Sequence, residues 1–258
     1  HTLDGVAPHM KKHFIISNSN NPANISEILI NRKVDILINF LPVGSQKATE
    51  FYAEECIKAK TSLLNCIPIF IASNRIWEKK FYDAGIPIIG DDMKSQFGAS
   101  IVSQMLQELA VSRGIHVINH IQRNVGGNTD FLNMTDQNRL ISKKKSKENV
   151  IRDKSSENTF VHAGPSEYIS CLNDNKIADI HMDMEGFLGS KITLDLKLSV
   201  IDSPNSAGIV CDAIRYLKIA RDKGMKGSIK GPSAFTQKTP PEEMSYSESI
   251  KECETFLN

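Results

Sequence analysis

A polar turn followed by paired lysines is the chemically richest part of this sequence. The turn spans residues 126–134 and is dense in glycine, asparagine and aspartate. Lys143 and Lys147 follow it, and a spacing of four residues places two ammonium groups on one face of a helix. Amides, a carboxylate and two cations suit a polyhydroxylated phosphate or another anionic small molecule. The pattern predicts a site in the middle of the chain, although most lysine runs are solvated faces.

A second candidate anion site lies where a predicted buried strand passes into a helix. Asp91 and Asp92 follow the strand, and Ser95 and Ser100 flank the start of the helix. Unpaired backbone N–H groups and the positive end of the helix dipole attract phosphate at such a position, and the two serines add hydroxyl groups. The alternative interpretation is a capped helix with two surface acids.

Three further polar residues have ordinary local interpretations. Lys176 is typical of a turn before a strand, and Lys238 of an exposed loop. Asp202 is suited to cap a helix that we expect to begin at residue 205. Spacing alone does not unite these residues into one site.

Composition excludes several classes of protein. The chain has 258 residues, 40% of them hydrophobic and 24% charged, which is enough for one large domain or two ordinary ones. The net charge of +1 gives no reason to expect nucleic acid or an acidic membrane surface as a partner. No apolar run approaches the roughly 20 residues of a membrane helix.

Cysteine and histidine usage argues against structural metal sites. The five cysteines are scattered without a CxxC pair, which favours reduced thiols in a cytoplasmic protein over disulfides or a cysteine-rich zinc site. The seven histidines show no HxH or HExxH spacing, so we predict no metal motif.

The first part of the chain reads as a parallel α/β sheet. Apolar runs at residues 34–41, 63–69 and 86–90 predict buried strands, and helical periodicity predicts helices at 46–60 and 75–84. Ligands of such sheets bind beyond the carboxyl ends of the strands. No GxGxxG sequence occurs in the chain, which is an unusual absence for a dinucleotide-binding sheet.

The later part reads as an α+β unit that begins near Ser95. We predict a helix at 98–113, a strand at 116–122 and a polar surface segment at 145–159. Alternation with glycines over residues 177–200 predicts antiparallel strands with one covered face. A helix at 205–217 and a tail that opens at Pro240 complete the chain.

Several long and unusual segments resemble the myo-inositol-1-phosphate synthase family, specifically its prokaryotic-type branch. The segments fall in the family's order and run through nearly the whole chain: LDGVAPHM (3–10), INFLPVGS (38–45), NCIPIFIAS (65–73), GDDMKSQFGAS (90–100), NVGGNTDFLNM (124–134), SKKKSK (142–147), AGPSEY (163–168), DSPNSAG (202–208) and QKTPP (237–241).

The resemblance implies an NAD-dependent isomerase that converts D-glucose 6-phosphate into 1L-myo-inositol 1-phosphate. Carbon 5 is oxidised, the ketone enolises, carbon 6 attacks carbon 1, and carbon 5 is reduced again. It also implies a homotetramer with an incomplete Rossmann-type NAD-binding domain (residues 1–94) that lacks its N-terminal glycine-rich unit, a catalytic and tetramerisation α+β domain (95–203) and a returning C-terminal segment (204–258). A requirement for a divalent or monovalent cation stays open.

The resemblance also assigns residue roles. The family's active-site lysines match Lys143, Lys147, Lys176 and Lys238. Of these, Lys143 is the expected proton-transfer group for carbon 5, and Lys238 is expected to contact the carbon-1 aldehyde oxygen. Asp92 and Asp202 match positions that orient a lysine and the nicotinamide. The substrate-side positions match Asn124 and Asp130, and the phosphate loop matches Ser95, Gln96, Gly98 and Ser100. The cofactor side includes Asn39, Pro42 and Asn65.

The front of the chain departs from the family pattern. Family members carry a strand and a glycine-rich turn for the NAD pyrophosphate ahead of the LDGVAPHM segment, whereas this sequence starts at His1. We therefore expect this chain alone to bind NAD weakly and to show little activity. Two alternatives stay open: a non-catalytic paralogue that keeps only the assembly surfaces, and an NAD enzyme that acts on another phosphosugar.

Overall fold

A computed structural model describes residues 4–13, 23–135 and 159–258. Within these ranges the chain forms two four-stranded sheets with helices packed against them. The predicted α/β class is confirmed, since a Rossmann-like parallel sheet is joined to a mixed sheet. None of the helices in these ranges is both long and apolar enough to cross a membrane.

The first sheet is parallel throughout. Its strands, in spatial order, are β1 (Ile36–Asn39), β2 (Ser62–Asn65), β3 (Pro87–Ile89) and β8 (Gly227–Ser228). The helices on one side of it are α1 (Ile25–Asn31), α2 (Gln46–Ala59) and α3 (Arg75–Ala84). The long helix α6 (Asp202–Asp222) covers the other side.

Alternation along β2 divides the core of this sheet into two halves. Leu63 packs with Phe81 of α3, whereas Leu64 packs with Leu217 of α6. All four of these side chains are fully buried, and each contributes about 1.5–3 kcal/mol through burial. The strand is therefore buried on both faces, as its continuous apolar run predicts.

The second sheet is mixed. Its strands, in spatial order, are β5 (Phe160–Tyr168), β4 (His116–Gly126), β6 (Asn175–Glu185) and β7 (Lys191–Ile201). β4 pairs with β5 in parallel, and β6 is antiparallel to both β4 and β7, so the predicted antiparallel strands are confirmed. Helix α4 (Ala99–Ser112) packs on one face, and the short α5 (Thr129–Asn133) follows β4.

The C-terminal segment lies against the first sheet. After α6 and β8 it forms α7 (Lys230–Thr236) and α8 (Tyr246–Leu257). β8 pairs with β3, and an antiparallel bridge joins Met93 to Gln237. The C-terminal segment therefore places the residues near position 238 beside the end of β3.

Some element bounds differ from the sequence prediction for local reasons. The strand expected at 63–69 ends at Asn65, because the Asn65 side-chain amide donates to the carbonyl oxygens of Ile67 and Ile69 and turns the chain. The helix expected from residue 205 begins at Asp202, since a proline at position 204 is tolerated in a first helical turn. The sequence reading did not predict α1, β5, β8, α7 or α8.

Candidate active site

A cavity of about 510 Å³ lies at the carboxyl ends of β1 and β2. One wall comes from the segments that follow β1, β2 and β3 and includes Pro42, Val43, Ile67, Pro68, Asp92 and Ser95. The rest of the lining comes from α5, β6, α6 and the segment after α7 and includes Asp130, Lys176, Asp202 and Lys238. Side chains from distant parts of the chain therefore meet at the edge where α/β sheets bind ligands.

The pair formed by Lys238 and Asp92 is the more deeply buried of two ion pairs at this cavity. Lys238 Nζ donates to Asp92 Oδ1 at 2.8 Å, and the Lys238 backbone N–H donates to the Asp92 carbonyl oxygen at 2.6 Å. The two side chains are 14% and 5% exposed. Asp92 has a φ of 60°, a left-handed conformation that aspartate adopts more readily than most residues. Main chain and side chain together fix Lys238 on the cavity wall.

The second ion pair joins Lys176 at the start of β6 to Asp202 at the start of α6. Lys176 Nζ lies 2.8 Å from Asp202 Oδ1. The Asn128 amide donates to Asp202 Oδ2 at 3.3 Å and to Asp174 Oδ1 at 3.2 Å. The dipole of the 21-residue helix α6 stabilises a carboxylate in its first turn. This pair therefore has a fixed carboxylate and a partly exposed ammonium group.

A small cavity of about 20 Å³ adjoins the same two lysines at the start of α4. Its lining includes the predicted substrate residues Ser95, Gly98, Ser100 and Asn124. A Cβ atom at position 98 would lie 2.9 Å from the Ser95 Cβ atom, so the close approach of this loop requires glycine. Hydroxyl groups, a helix N-terminus and two ammonium groups suit an anionic group such as phosphate.

Two predicted cofactor residues lie behind the cavity wall. The Asn39 amide donates to Asn65 Oδ1 at 2.8 Å, and the Asn65 amide donates to Asp91 Oδ1 at 2.7 Å. Asp91 also accepts from the backbone N–H groups of residues 71–73 and from the Ser73 hydroxyl. Burial raises the pKa of Asp91 to about 6, and these hydrogen bonds oppose the rise. Neither asparagine lines the cavity, and their expected contact with cofactor stays a prediction.

The remaining predicted residues are placed differently from one another. The Gln96 side chain lies against α6, where a Cβ atom at Gly208 would be 2.4 Å from Gln96 Oε1. The buried Asn124 amide donates to the Gly164 carbonyl oxygen and accepts from Gln122. Lys143 and Lys147 lie outside the residues that the structure describes.

The sequence assigns no individual role to three residues at or near the site, although all three fall within its two candidate segments. The Asn128 side chain caps α5, and its amide also donates to Asp202. An asparagine directly before a short helix predicts the cap but not the bond to Asp202. Asp91 and Lys94 are both buried behind the cavity. No sequence pattern distinguishes Asp91 and Lys94, which lie behind the cavity, from their neighbours Asp92 and Ser95, which line it.

Cys66 on the cavity wall is expected to resist alkylation. It is 4% exposed, and burial, with a smaller contribution from the Asp92 charge, raises the pKa of its thiol to about 12. Because the thiolate is the nucleophile, its population at pH 8 is only about one in 10⁴. Iodoacetamide on the native protein should modify the exposed Cys171 and Cys211 and spare Cys66, as read by peptide mass spectrometry. Modification of all three at equal rates would contradict this.

Comparisons with known proteins test the family resemblance. A model of the myo-inositol-1-phosphate synthase family matches residues 98–203. The chain is 43% identical over 264 residues to an inositol-3-phosphate synthase of Corynebacterium glutamicum and 41% identical over 263 residues to one of Mycolicibacterium smegmatis. Each alignment covers 99% of this chain and 72% of the relative.

A solved structure gives the same fold. The crystal structure of a myo-inositol-1-phosphate synthase-related protein from Thermotoga maritima superimposes with a TM-score of 0.79 over 90% of this chain and 68% of that one, at 24% identity. At this identity the likeness shows the fold alone, whereas the two bacterial relatives establish the ancestry. This chain belongs to the inositol-3-phosphate synthase family.

Proposed function

We propose that this protein converts D-glucose 6-phosphate into 1L-myo-inositol 1-phosphate with NAD as its cofactor. The observation that carries the proposal is the meeting of two lysine–aspartate pairs, Lys238–Asp92 and Lys176–Asp202, at one cavity beside the start of α4. Such a cavity suits more than one reaction, and membership of the family is our reason for proposing this one.

The phosphate of the substrate is assigned to the start of α4, where the small cavity meets the larger one. Ser95, Gly98 and Ser100 line the small cavity, which alone has room for about one water molecule, and Lys176 and Lys238 border both cavities. A phosphate held there places the sugar carbons toward the larger cavity, where the two ion pairs lie. Asn124 and Asp130 are the proposed partners of the substrate's hydroxyl groups.

The wall at the carboxyl ends of β1 and β2 suits the nicotinamide end of NAD. Pro42 and Ile67 give it an apolar surface, and Asp92 and Asp202 place carboxylates at its edge. NAD supplies a hydride acceptor early in the reaction and a hydride donor late, so the net change is isomerisation. Asn39 and Asn65 would then support this wall from behind.

The lysines supply positive charge where negative charge develops. When carbon 6 attacks carbon 1, the carbonyl electron pair moves to the aldehyde oxygen, which then takes a proton. The Lys238 ammonium group is the proposed hydrogen-bond donor to that oxygen, and Lys176 is the proposed partner of the enolate oxygen. Asp92 and Asp202 orient the two ammonium groups. Lys143 stays the predicted proton-transfer group for carbon 5, and Lys147 a predicted active-site lysine.

The same family relationship supports a proposal about assembly and location. We extend the proposal to a homotetramer in the cytoplasm that serves inositol and phospholipid biosynthesis, with domains at residues 1–94, 95–203 and 204–258. Sedimentation velocity tests the tetramer. Among the described residues no group of three histidine, cysteine or acidic side chains is arranged to hold a metal ion. A chelator in the assay tests the need for a divalent cation, and exchange of the monovalent salt tests the need for a monovalent one.

Phosphorus NMR tests the reaction. The protein, extended ahead of His1 by the strand and glycine-rich turn that family members carry, is incubated with glucose 6-phosphate and catalytic NAD⁺, and we expect inositol 1-phosphate to accumulate without net NADH. Net NADH with a different phosphorus signal would instead indicate an NAD enzyme on another phosphosugar. A folded protein that binds NAD but forms no product would indicate a non-catalytic paralogue and would overturn the proposal.

A further inference from the structure

A line of buried polar side chains runs beneath helix α4 and ends at the small cavity. His120, Gln122 and Asn124 alternate along β4, and each is at most 1% exposed. The residues of β6 that pair with them are apolar and belong to the core under α4: Met182, Ile180 and Ala178. Because a buried polar group is costly unless it is hydrogen-bonded, three of them on one face of a strand require a physical reason.

The hydrogen bonds along this line fix the orientation of two amide groups. The Gly164 carbonyl oxygen can only accept, so the Asn124 amide nitrogen faces it at 2.9 Å. Asn124 Oδ1 then accepts from Gln122 Nε2 at 3.1 Å, and Gln122 Oε1 accepts from the Ser103 hydroxyl at 2.9 Å. A flipped Gln122 amide would set two oxygen atoms against each other at Asn124. One backbone carbonyl group therefore determines the direction of the whole chain of bonds.

These bonds leave each of the two amide groups with a second N–H that has no partner among the described residues. An amide nitrogen carries two hydrogens, and Gln122 and Asn124 each use one of them. Both side chains line the small cavity. Because a buried donor without an acceptor is costly, the amide groups at this cavity call for an acceptor from a ligand or from water.

The other groups around the small cavity are donors too. The first turn of α4 brings backbone N–H groups that have no acceptor within the helix, and Lys176 and Lys238 bring ammonium groups. Ser95 and Ser100 add hydroxyl groups, which can donate as well as accept. None of the described residues that line this cavity is acidic. Such a lining favours an oxygen atom that carries negative charge and no proton.

The size of the small cavity matches one oxygen atom of a phosphate group. Its volume is about 20 Å³, and a single water-sized oxygen requires roughly 10–15 Å³. The rest of the phosphate group then lies where the two cavities meet, beside Lys176 and Lys238. The phosphate oxygen that enters deepest therefore comes to the lining that includes Gln122.

We propose that Gln122 is a further substrate-binding residue, whose Nε2 donates a hydrogen bond to the phosphate oxygen in the small cavity. Ser103 is a positioning residue, since its hydroxyl holds Gln122 Oε1 away from that oxygen. The proposal rests on the proposed function, which places the phosphate at the start of α4. Asn124 keeps its proposed role toward a hydroxyl group of the substrate.

Isothermal titration with inorganic phosphate and with glucose 6-phosphate tests the proposal without turnover. Gln122→Met keeps a similar side-chain length and removes the donor. We expect it to raise the dissociation constants of both ligands about tenfold or more, the effect of a lost hydrogen bond to a charged group. Ser103→Ala should give a smaller rise in both constants, and Ser103→Thr, which keeps the hydroxyl, should restore them.

Gln107→Met is the matched control for Gln122→Met. Gln107 is a buried glutamine of α4 whose Oε1 lies 3.2 Å from His120 Nδ1, and it lines neither cavity. Its loss should lower stability and leave the dissociation constants of phosphate and glucose 6-phosphate unchanged. The affinity for NAD, measured on the same samples, should stay at the wild-type value in both variants.

A double-mutant cycle separates direct contact with phosphate from an effect that passes through Asn124. If Gln122 binds the phosphate itself, Gln122→Met raises the dissociation constants in the Asn124→Ala background as well. Unchanged phosphate affinity in folded Gln122→Met, or loss of its effect in the Asn124→Ala background, would overturn the proposal.

A crystal structure of the wild-type protein with phosphate decides the matter if a variant does not fold. A distance above about 3.5 Å between Gln122 Nε2 and the nearest phosphate oxygen would then overturn the proposal. Wild-type protein that binds neither ligand would overturn both the role of Gln122 and the phosphate site. Wild-type protein that shows the expected binding pattern but makes no inositol phosphate would overturn the proposed reaction alone.

Discussion

Replacement of Lys238 by methionine is expected to lower kcat for inositol phosphate formation by about 10³-fold, the cost of removing a donor that stabilises charge in a transition state. Methionine keeps much of the length of the side chain and removes the ammonium group. Because the lost interaction strengthens only as charge develops on the substrate oxygen, kcat and kcat/KM should fall together. Initial rates by phosphorus NMR, with a thermal melt of each variant, measure both effects.

Lys226→Met is the matched control for this substitution. Lys226 is exposed and lies twelve residues earlier in the same C-terminal segment, so its loss should leave the rate at the wild-type value. Lys176→Met should also reduce the rate strongly, because its ammonium group borders the same cavities. A folded Lys238→Met variant within tenfold of the wild-type rate would remove Lys238 from the mechanism.

Replacement of Asp91 by leucine is expected to lower the free energy of unfolding by about 5 kcal/mol, the low end of the range given by roughly 1–3 kcal/mol for each buried donor left unpaired. Asp91 accepts three backbone N–H groups, the Ser73 hydroxyl and the Asn65 amide. The Asn65 donor lies at the end of β2, and the donors of residues 71–73 lie in the segment that leads into α3. Urea unfolding followed by circular dichroism measures the loss.

Asp83→Leu gives the comparison for a surface carboxylate. Asp83 pairs with Lys79 at 2.9 Å in an exposed position, where such pairs contribute at most about 1 kcal/mol. Equal destabilisation by the two substitutions would show that the Asp91 network does not stabilise the fold. Asp91→Leu should also weaken NAD binding, since the wall it supports is the proposed nicotinamide surface.

The parts of the fold that the sequence predicted are those with strong local periodicity. Leu63 and Leu64 belong to an apolar run that fits only a strand buried on both faces, and α3 was predicted with its observed bounds. β8 has two residues, Gly227 and Ser228, and exists only because β3 offers it a partner. No periodicity can be read from two residues.

The candidate site was harder to derive because its chemistry depends on contacts across the chain. Spacing alone gave Lys176, Asp202 and Lys238 ordinary local roles, and only the family resemblance grouped them. Conversely, Asn39 and Asn65 have the polar character of ligands at strand ends, yet the structure has their amides bonded to each other. The sequence shows that a polar side chain stands at the end of a strand, but contacts with the neighbouring strand determine the direction of that side chain.

The bond between Asp92 and Lys238 spans 146 residues of sequence, and this separation has a consequence for the order in which the protein matures. During synthesis, β1, β2 and β3 emerge long before β8, so β3 waits on the ribosome with an open edge until residues 227–228 arrive. Contacts of such high sequence separation form late in folding. The Lys238 ammonium group, which we propose stabilises negative charge on the substrate, is therefore among the last parts of the protein to reach its place. A nascent chain that has not yet reached residue 238 cannot catalyse the proposed reaction.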